Sequence, residues 1–87
     1  MILMDSKSWI VKWFSDNTNL VENEIIANLD ENYLINGWID SLKFISFISD
    51  IENGFKIIFS NDEFQNRTFA TINGLVQIIE EKLNEQL

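Results

Sequence analysis

The sequence predicts a small all-α domain of four helices, with a long loop between the first two and a short third helix. Two observations favour this fold class. Apolar residues recur at spacings of three and four in separate stretches of the chain, which is the period of an α-helix. The chain also has no Pro and only three Gly, so long irregular segments are not expected. Its 87 residues suit one domain with one core, which we assign to residues 1–87.

The first predicted helix runs from about Asp5 to Asp16, and Asp5 or Ser6 can cap its amino end. Its apolar stripe is aromatic-rich and is expected in the core: Trp9, Ile10, Trp13 and Phe14. The polar cluster of residues 16–19 should end this helix, because it consists of turn and cap residues.

The periodicity weakens from residue 20 to residue 39, which we interpret as a long loop. One or two helical turns are predicted at residues 24–27. Further along, Leu34 and Ile35 are expected to anchor the loop on the core, since a long connection in a compact domain needs its own packing contacts. Gly37 then gives the backbone the freedom to turn into the next helix.

The second helix is predicted from Ser41 to about Asn53. Its core stripe should be Phe47, Ile48, Ile51 and Phe55. We expect Gly54 to end the helix in a left-handed conformation. Residues 55–59 would then form an extended, buried connector.

The remaining elements are one short and one long helix. Residues 60–64 resemble a cap followed by one or two helical turns. The last helix is predicted from about Thr71 to Asn84, with an apolar stripe of Ile72, Leu75, Val76, Ile79 and Leu83.

Composition excludes several kinds of chemistry. The chain has no His and no Cys, so imidazole bases, thiolate nucleophiles, disulfides and the usual zinc ligands are all missing. A serine nucleophile would have only Lys or a carboxylate as its base. We therefore expect a protein without catalytic activity of its own and without a metal site.

The net charge and the hydropathy of the chain limit the kinds of partner that it is expected to bind. The chain carries 14 acidic and 6 basic residues, a net charge of −8, which repels nucleic acids and anionic lipid surfaces. This charge either attracts basic protein partners or serves only to keep the protein dispersed. No secretory leader and no apolar run of membrane-spanning length is present, so a cytoplasmic monomer is expected.

The most informative motif is Asp40-Ser41-Leu42, directly before the second helix. A short polar residue in this place caps a helix, and by itself the motif indicates no more than that. Two further features follow at defined spacing: the pair Ile51-Glu52, and then Phe55-Lys56-Ile57. The segment 69–72 leads into the last helix.

From about Leu34 to Leu83 these residues resemble the acyl and peptidyl carrier proteins, small four-helix domains that bear a phosphopantetheine arm on a serine. Two departures matter. The first is that Trp38 stands three residues before the serine, where Gly is usual, while Gly37 stands four before it. This arrangement is similar to discrete carriers of the D-alanyl, stand-alone peptidyl or polyketide type. The second is that the second helix has few acidic residues, with Lys43, Phe44 and Ser46 where fatty-acid carriers tend to have carboxylates. In the Phe55-Lys56-Ile57 match, Lys56 replaces the Gly of the family.

The resemblance implies a carrier-type four-helix bundle with 4′-phosphopantetheine on Ser41 and with Asp40 assisting its attachment. The implied partners are a phosphopantetheinyl transferase, an adenylating or other acyl-loading enzyme, and downstream enzymes that use the thioester. These enzymes should recognise Trp38, Leu42, Lys43 and Phe44, with Phe44 exposed. Two alternatives remain open: a carrier of fatty-acid synthesis, and an acidic helical interaction module that is never modified.

Overall fold

The computed structural model describes residues 5–85, and within that range the protein is all-α, with no β-strand. It contains five α-helices and one 3-10 turn, at Ser6–Asn17 (α1), Glu22–Ile26 (α2), Ser41–Phe55 (α3), Asn61–Gln65 (α4), Arg67–Ala70 (the 3-10 turn) and Ile72–Glu85 (α5). The four predicted helices are present, and α2 is the fifth, in the segment where a turn or two was expected. None of the helices in residues 5–85 is both long and apolar enough to cross a membrane.

The core forms where α1, α3 and α5 meet. As predicted, α1 buries Ile10, Trp13 and Phe14. The Phe47 ring of α3 lies 4.5 Å from the Trp13 ring and 5.1 Å from the Phe14 ring, centroid to centroid. The helix α5 adds three side chains with no exposed surface, Ile72, Leu75 and Ile79, and also Ile78, which the predicted stripe omitted.

The long loop is anchored by Tyr33, and the prediction of Leu34 and Ile35 as anchors is wrong. Both of those side chains are exposed, Ile35 by 82%, whereas Tyr33 has no exposed surface. The Tyr33 hydroxyl donates to the carbonyl oxygen of Phe69, and its backbone N–H donates to the carbonyl oxygen of Ala70. An aromatic side chain with a polar tip can fill the core and also satisfy a buried carbonyl, which an aliphatic residue cannot do.

The carboxyl end of α3 also differs from the prediction. Gly54 lies inside the helix against the indole of Trp9, and the left-handed residue is Lys56, with a φ of 58°. A non-glycine residue in this conformation costs about 1–2 kcal/mol. Phe55, which was predicted in the core, is half-buried, with its ring 5.4 Å from that of Trp9.

The connector after α3 belongs to no helix or strand, and its side chains alternate between buried and exposed. Ile57 and Phe59 are buried, while Ile58 is 80% exposed. The Phe59 N–H donates to Oε2 of Glu52 at 2.9 Å, which ties the connector back to α3. The connector predicted for residues 55–59 begins only after Lys56, because Phe55 belongs to α3 and Lys56 is left-handed, and the prediction that it is buried throughout is wrong.

The short elements after the connector are held by polar contacts. Ser60 and Glu63 cap α4 reciprocally, and Glu63 also accepts from Lys82 of α5 at 2.9 Å. The 3-10 turn packs directly on α5, because a Cβ atom at Gly74 would overlap the carbonyl oxygen of Thr68. Only glycine therefore allows the two backbones this close approach.

Candidate functional site

The candidate site is the amino end of α3, where Asp40 is the N-cap residue. Its Oδ1 accepts from the Lys43 N–H at 2.8 Å, and its carbonyl oxygen accepts from the Phe44 N–H at 2.8 Å. The chain reaches this cap through Gly37, whose φ of 74° lies in the left-handed region. The predicted turn at Gly37 and the predicted helix start at Ser41 are both confirmed.

Ser41 is the first residue of α3, and it is exposed. Its hydroxyl makes no hydrogen bond with any residue from 5 to 85. In the same range, the backbone N–H groups of Ser41 and Leu42 also lack an acceptor. Free N–H groups in the first turn, at the positive end of the helix dipole, favour a negatively charged group at this position.

A polar cleft of about 560 Å³ lies beside this helix end. It is lined by the end of α1 with the residues that follow it and by the segment that enters α3: Asp16, Asn17, Thr18, Asn19, Gly37, Trp38, Ile39, Asp40 and Lys43. Lys43 crosses from one wall to the other, since its Nζ donates to the carbonyl oxygen of Asn17 at 2.8 Å. Ser41 itself does not line the cleft, but Asp40 and Lys43, which stand on either side of it in the sequence, do.

The four side chains predicted to meet partner enzymes differ in exposure. Leu42 is 77% exposed and Lys43 is also exposed. Trp38 is half-buried, with its ring 5.7 Å from that of Phe14. Phe44 is half-buried as well, between the rings of Tyr33 at 6.4 Å and Phe69 at 6.2 Å, so it does not protrude as expected.

A second Asp-Ser pair starts α1, and its serine is in a different environment. Asp5 caps α1, accepting from the N–H groups of Lys7 and Ser8. Ser6 is only 2% exposed, and its hydroxyl donates to Oε2 of Glu80 at 3.1 Å. This serine is covered by α5 and is already hydrogen-bonded.

Sequence reasoning missed an apolar surface on the far side of Phe44. Exposed Leu34, Ile35, Ile45 and Phe64 lie around it, and Arg67 lies at its edge. One signal was available: Phe44 and Ile45, which line this surface, both lie outside the predicted core stripe of α3. The exposure of Leu34 and Ile35 had no such signal.

No protein-family model, curated protein or solved structure matches this chain. What the site does must therefore follow from its own residues and their geometry.

Proposed function

We propose that the protein is a discrete acyl or peptidyl carrier, in which Ser41 bears 4′-phosphopantetheine and the arm carries an acyl or aminoacyl thioester. The observation that supports this most strongly is the state of Ser41. It is exposed, it starts a helix, and its hydroxyl is not committed to any hydrogen bond within residues 5–85. A serine that must accept a bulky group from another enzyme needs these three properties.

The residues around Ser41 fit the arm. Its phosphodiester would lie next to the free N–H groups of Ser41 and Leu42, at the positive end of α3. Asp40 is held as the cap, so its carboxylate has a fixed position one residue from the serine. In carrier proteins this aspartate helps the transferase to place its magnesium ion, and we assign Asp40 the same role here.

The composition supports a carrier over an enzyme. A thioester needs a thiol, and this chain has no Cys, so the thiol would have to come with the arm. The chain also lacks His, which leaves no ordinary base to act on a bound substrate. In this proposal the domain performs no reaction itself but presents its cargo to loading and downstream enzymes.

The order of the helices also supports the proposal. In our interpretation α1, α3, α4 and α5 form a carrier-type bundle, and α2 lies in the long loop after α1. The arrangement of Gly37 and Trp38 before the serine favours a peptide, polyketide or aminoacyl-transfer pathway over fatty-acid synthesis.

Intact mass spectrometry tests the proposal directly. The chain is co-expressed with a broad-specificity phosphopantetheinyl transferase, and the purified protein should gain the mass of one phosphopantetheine. The Ser41→Ala variant should gain nothing. Ser46→Ala is the matched control, because Ser46 is another exposed serine of α3, and it should be modified like the parent.

Two results would contradict the carrier assignment. A parent protein that folds but stays unmodified with several transferases would indicate an interaction module instead. Modification of Ser41→Ala would show that the arm is attached elsewhere.

A further inference from the structure

Two shallow grooves meet on the surface of the protein and share the rings of Phe44 and Phe64. The larger, about 510 Å³, lies between the long loop and the 3-10 turn, and its lining includes Leu34, Ile35 and Arg67. The smaller, about 220 Å³, lies along α3 and is lined partly by Ile45. We call the two together the Phe44–Phe64 groove.

The groove gathers exposed apolar side chains from the long loop, α3 and α4. Large apolar side chains line it although they remain accessible to water: Leu34, Ile35, Ile45 and Phe64. Single exposed apolar residues are common, but contiguous apolar patches on a small protein mark places where another molecule binds. The lining of this groove therefore favours an apolar ligand.

The larger of the two grooves carries a charge opposite in sign to the net charge of the protein. Arg67 lines the groove, and within residues 5–85 it forms no ion pair, whereas Lys12 and Lys82 pair with carboxylates. Glu52 lines only the smaller groove, and its Oε2 accepts from the Phe59 N–H. Among residues 5–85, Arg67 is therefore the one charged side chain that lines the larger groove.

A guanidinium group at the edge of an apolar groove is suited to a carboxylate. Arg binds carboxylates through two parallel hydrogen bonds, and Arg and aromatic residues together supply much of the energy of protein interfaces. A basic ligand would lie against Arg67, and a purely apolar ligand would leave Arg67 partly desolvated and unpaired. Charge complementarity therefore selects an acidic ligand at this point.

We propose that the Phe44–Phe64 groove binds a short segment of a partner protein that presents large apolar side chains next to an Asp or Glu. The net charge of the protein repels such a partner at long range, so the attraction to Arg67 acts only at contact. The inference does not depend on the arm, because neither Ser41 nor Asp40 lines the groove.

The test uses a displayed library of random peptides, selected on the full-length Ser41→Ala protein so that no arm is present. Selected peptides should be enriched in large apolar residues together with Asp or Glu. Their affinities are then measured by fluorescence polarisation against two matched pairs of variants. The first pair compares Arg67→Glu with Lys7→Glu, which makes the same charge change at an exposed residue of α1. The second pair compares Ile35→Ser with Ile58→Ser. These two isoleucines are similarly exposed, but only Ile35 lines the groove.

The groove variants should bind at least about tenfold more weakly, and the controls should stay within about twofold of the parent. Circular dichroism melts should show all four variants folded. If Arg67→Glu does not fold, Arg67→Gln replaces it with Lys7→Gln as its control.

Three results would overturn the inference: no selected peptides, selected peptides rich in Lys or Arg, or equal weakening by groove variants and controls. A dimer that Ile35→Ser dissociates, seen by sedimentation, would also overturn it, because the groove would then bind a second copy of the chain. Since the Ser41→Ala protein is used throughout, a failure of this test leaves the carrier proposal standing, and the reverse also holds.

Discussion

Two helices of this protein begin with an Asp-Ser pair, and the two serines lie in opposite environments, one buried and one exposed. Asp5-Ser6 starts α1 and Asp40-Ser41 starts α3, and both aspartates cap their helices. Ser6 is buried beneath α5 and hydrogen-bonded to Glu80, whereas Ser41 is exposed and has no partner within residues 5–85.

The difference lies in what packs over each helix end. The same Asp-Ser pair satisfies the same capping requirement in both places, so the cap alone does not distinguish them. The path of α5 across the start of α1 distinguishes them, because it brings Glu80 to Ser6 and leaves Ser41 exposed. A serine motif therefore becomes a usable site only through its tertiary surroundings. Four predictions test this comparison.

The largest effect concerns which serine is modified. Ser6→Ala should receive the arm from a broad-specificity transferase as completely as the parent, because Ser6 is covered and already hydrogen-bonded. Ser41→Ala should receive none. Peptide mapping by mass spectrometry locates the arm, and an arm on Ser6 in either protein would contradict the contrast between the two serines.

The next effect concerns the two aspartates. Asn caps a helix about as well as Asp, so Asp40→Asn should melt close to the parent. Because it removes the carboxylate assigned to the transferase reaction, its modification should slow by roughly tenfold or more, equivalent to about 1.4 kcal/mol in the barrier. Asp5→Asn is the control and should be modified at the parent rate. Equal slowing by both changes would show that Asp40 has no special part.

The two serine substitutions should affect stability in the opposite order to their effect on modification. Ser6→Ala removes the hydrogen bond to Glu80 and should lower the free energy of unfolding by about 0.5–1.5 kcal/mol. Ser41→Ala removes no hydrogen bond with residues 5–85 and should stay within about 0.5 kcal/mol of the parent. Urea denaturation measures both, and a larger loss for Ser41→Ala would mean that its hydroxyl is structurally committed.

The smallest expected effect is a pH dependence of the stability that arises from Asp5, the residue that caps α1. The Ser8 hydroxyl, at 2.6 Å, and the Ser8 N–H donate to Asp5 and hold the pKa of this carboxyl below its ordinary value of 3.8. A lowered pKa in the folded state stabilises the protein above that ordinary value, and the gain is lost as the pH falls through the lowered pKa. Asp5→Asn should therefore melt below the parent near neutral pH, and the gap should close in acid. A gap that stays constant down to about pH 2 would contradict this.

Much of the fold follows from sequence because helix periodicity and capping are local properties. The starts of α1, α3 and α5 fall within one residue of their predicted positions, since Asp5, Asp40 and the apolar stripes fix them. The loop anchor was not predictable in this way. The choice of Tyr33 over Leu34 and Ile35 depends on a buried carbonyl of Phe69, a residue 36 positions further along the chain.

The end of α3 shows a related limit. A glycine at position 54 is a reasonable helix stop on local grounds, but α3 continues through it and ends at Phe55. The left-handed residue is Lys56, where the carrier family commonly has the Gly that such a conformation favours. In the candidate site, Asp40 and Ser41 were identified from sequence, while Arg67 and the exposed loop residues come together only through the fold.

The placement of Trp38 gives the protein a built-in optical reporter. Its half-buried indole is three residues before Ser41, while Trp9 contacts Phe55 at the other end of α3, about 22 Å away along the helix. Indole emission moves to longer wavelength as water gains access to the ring. A variant with Phe at positions 9 and 13 would report from position 38 alone, so events at Ser41 could be followed by fluorescence without an attached dye.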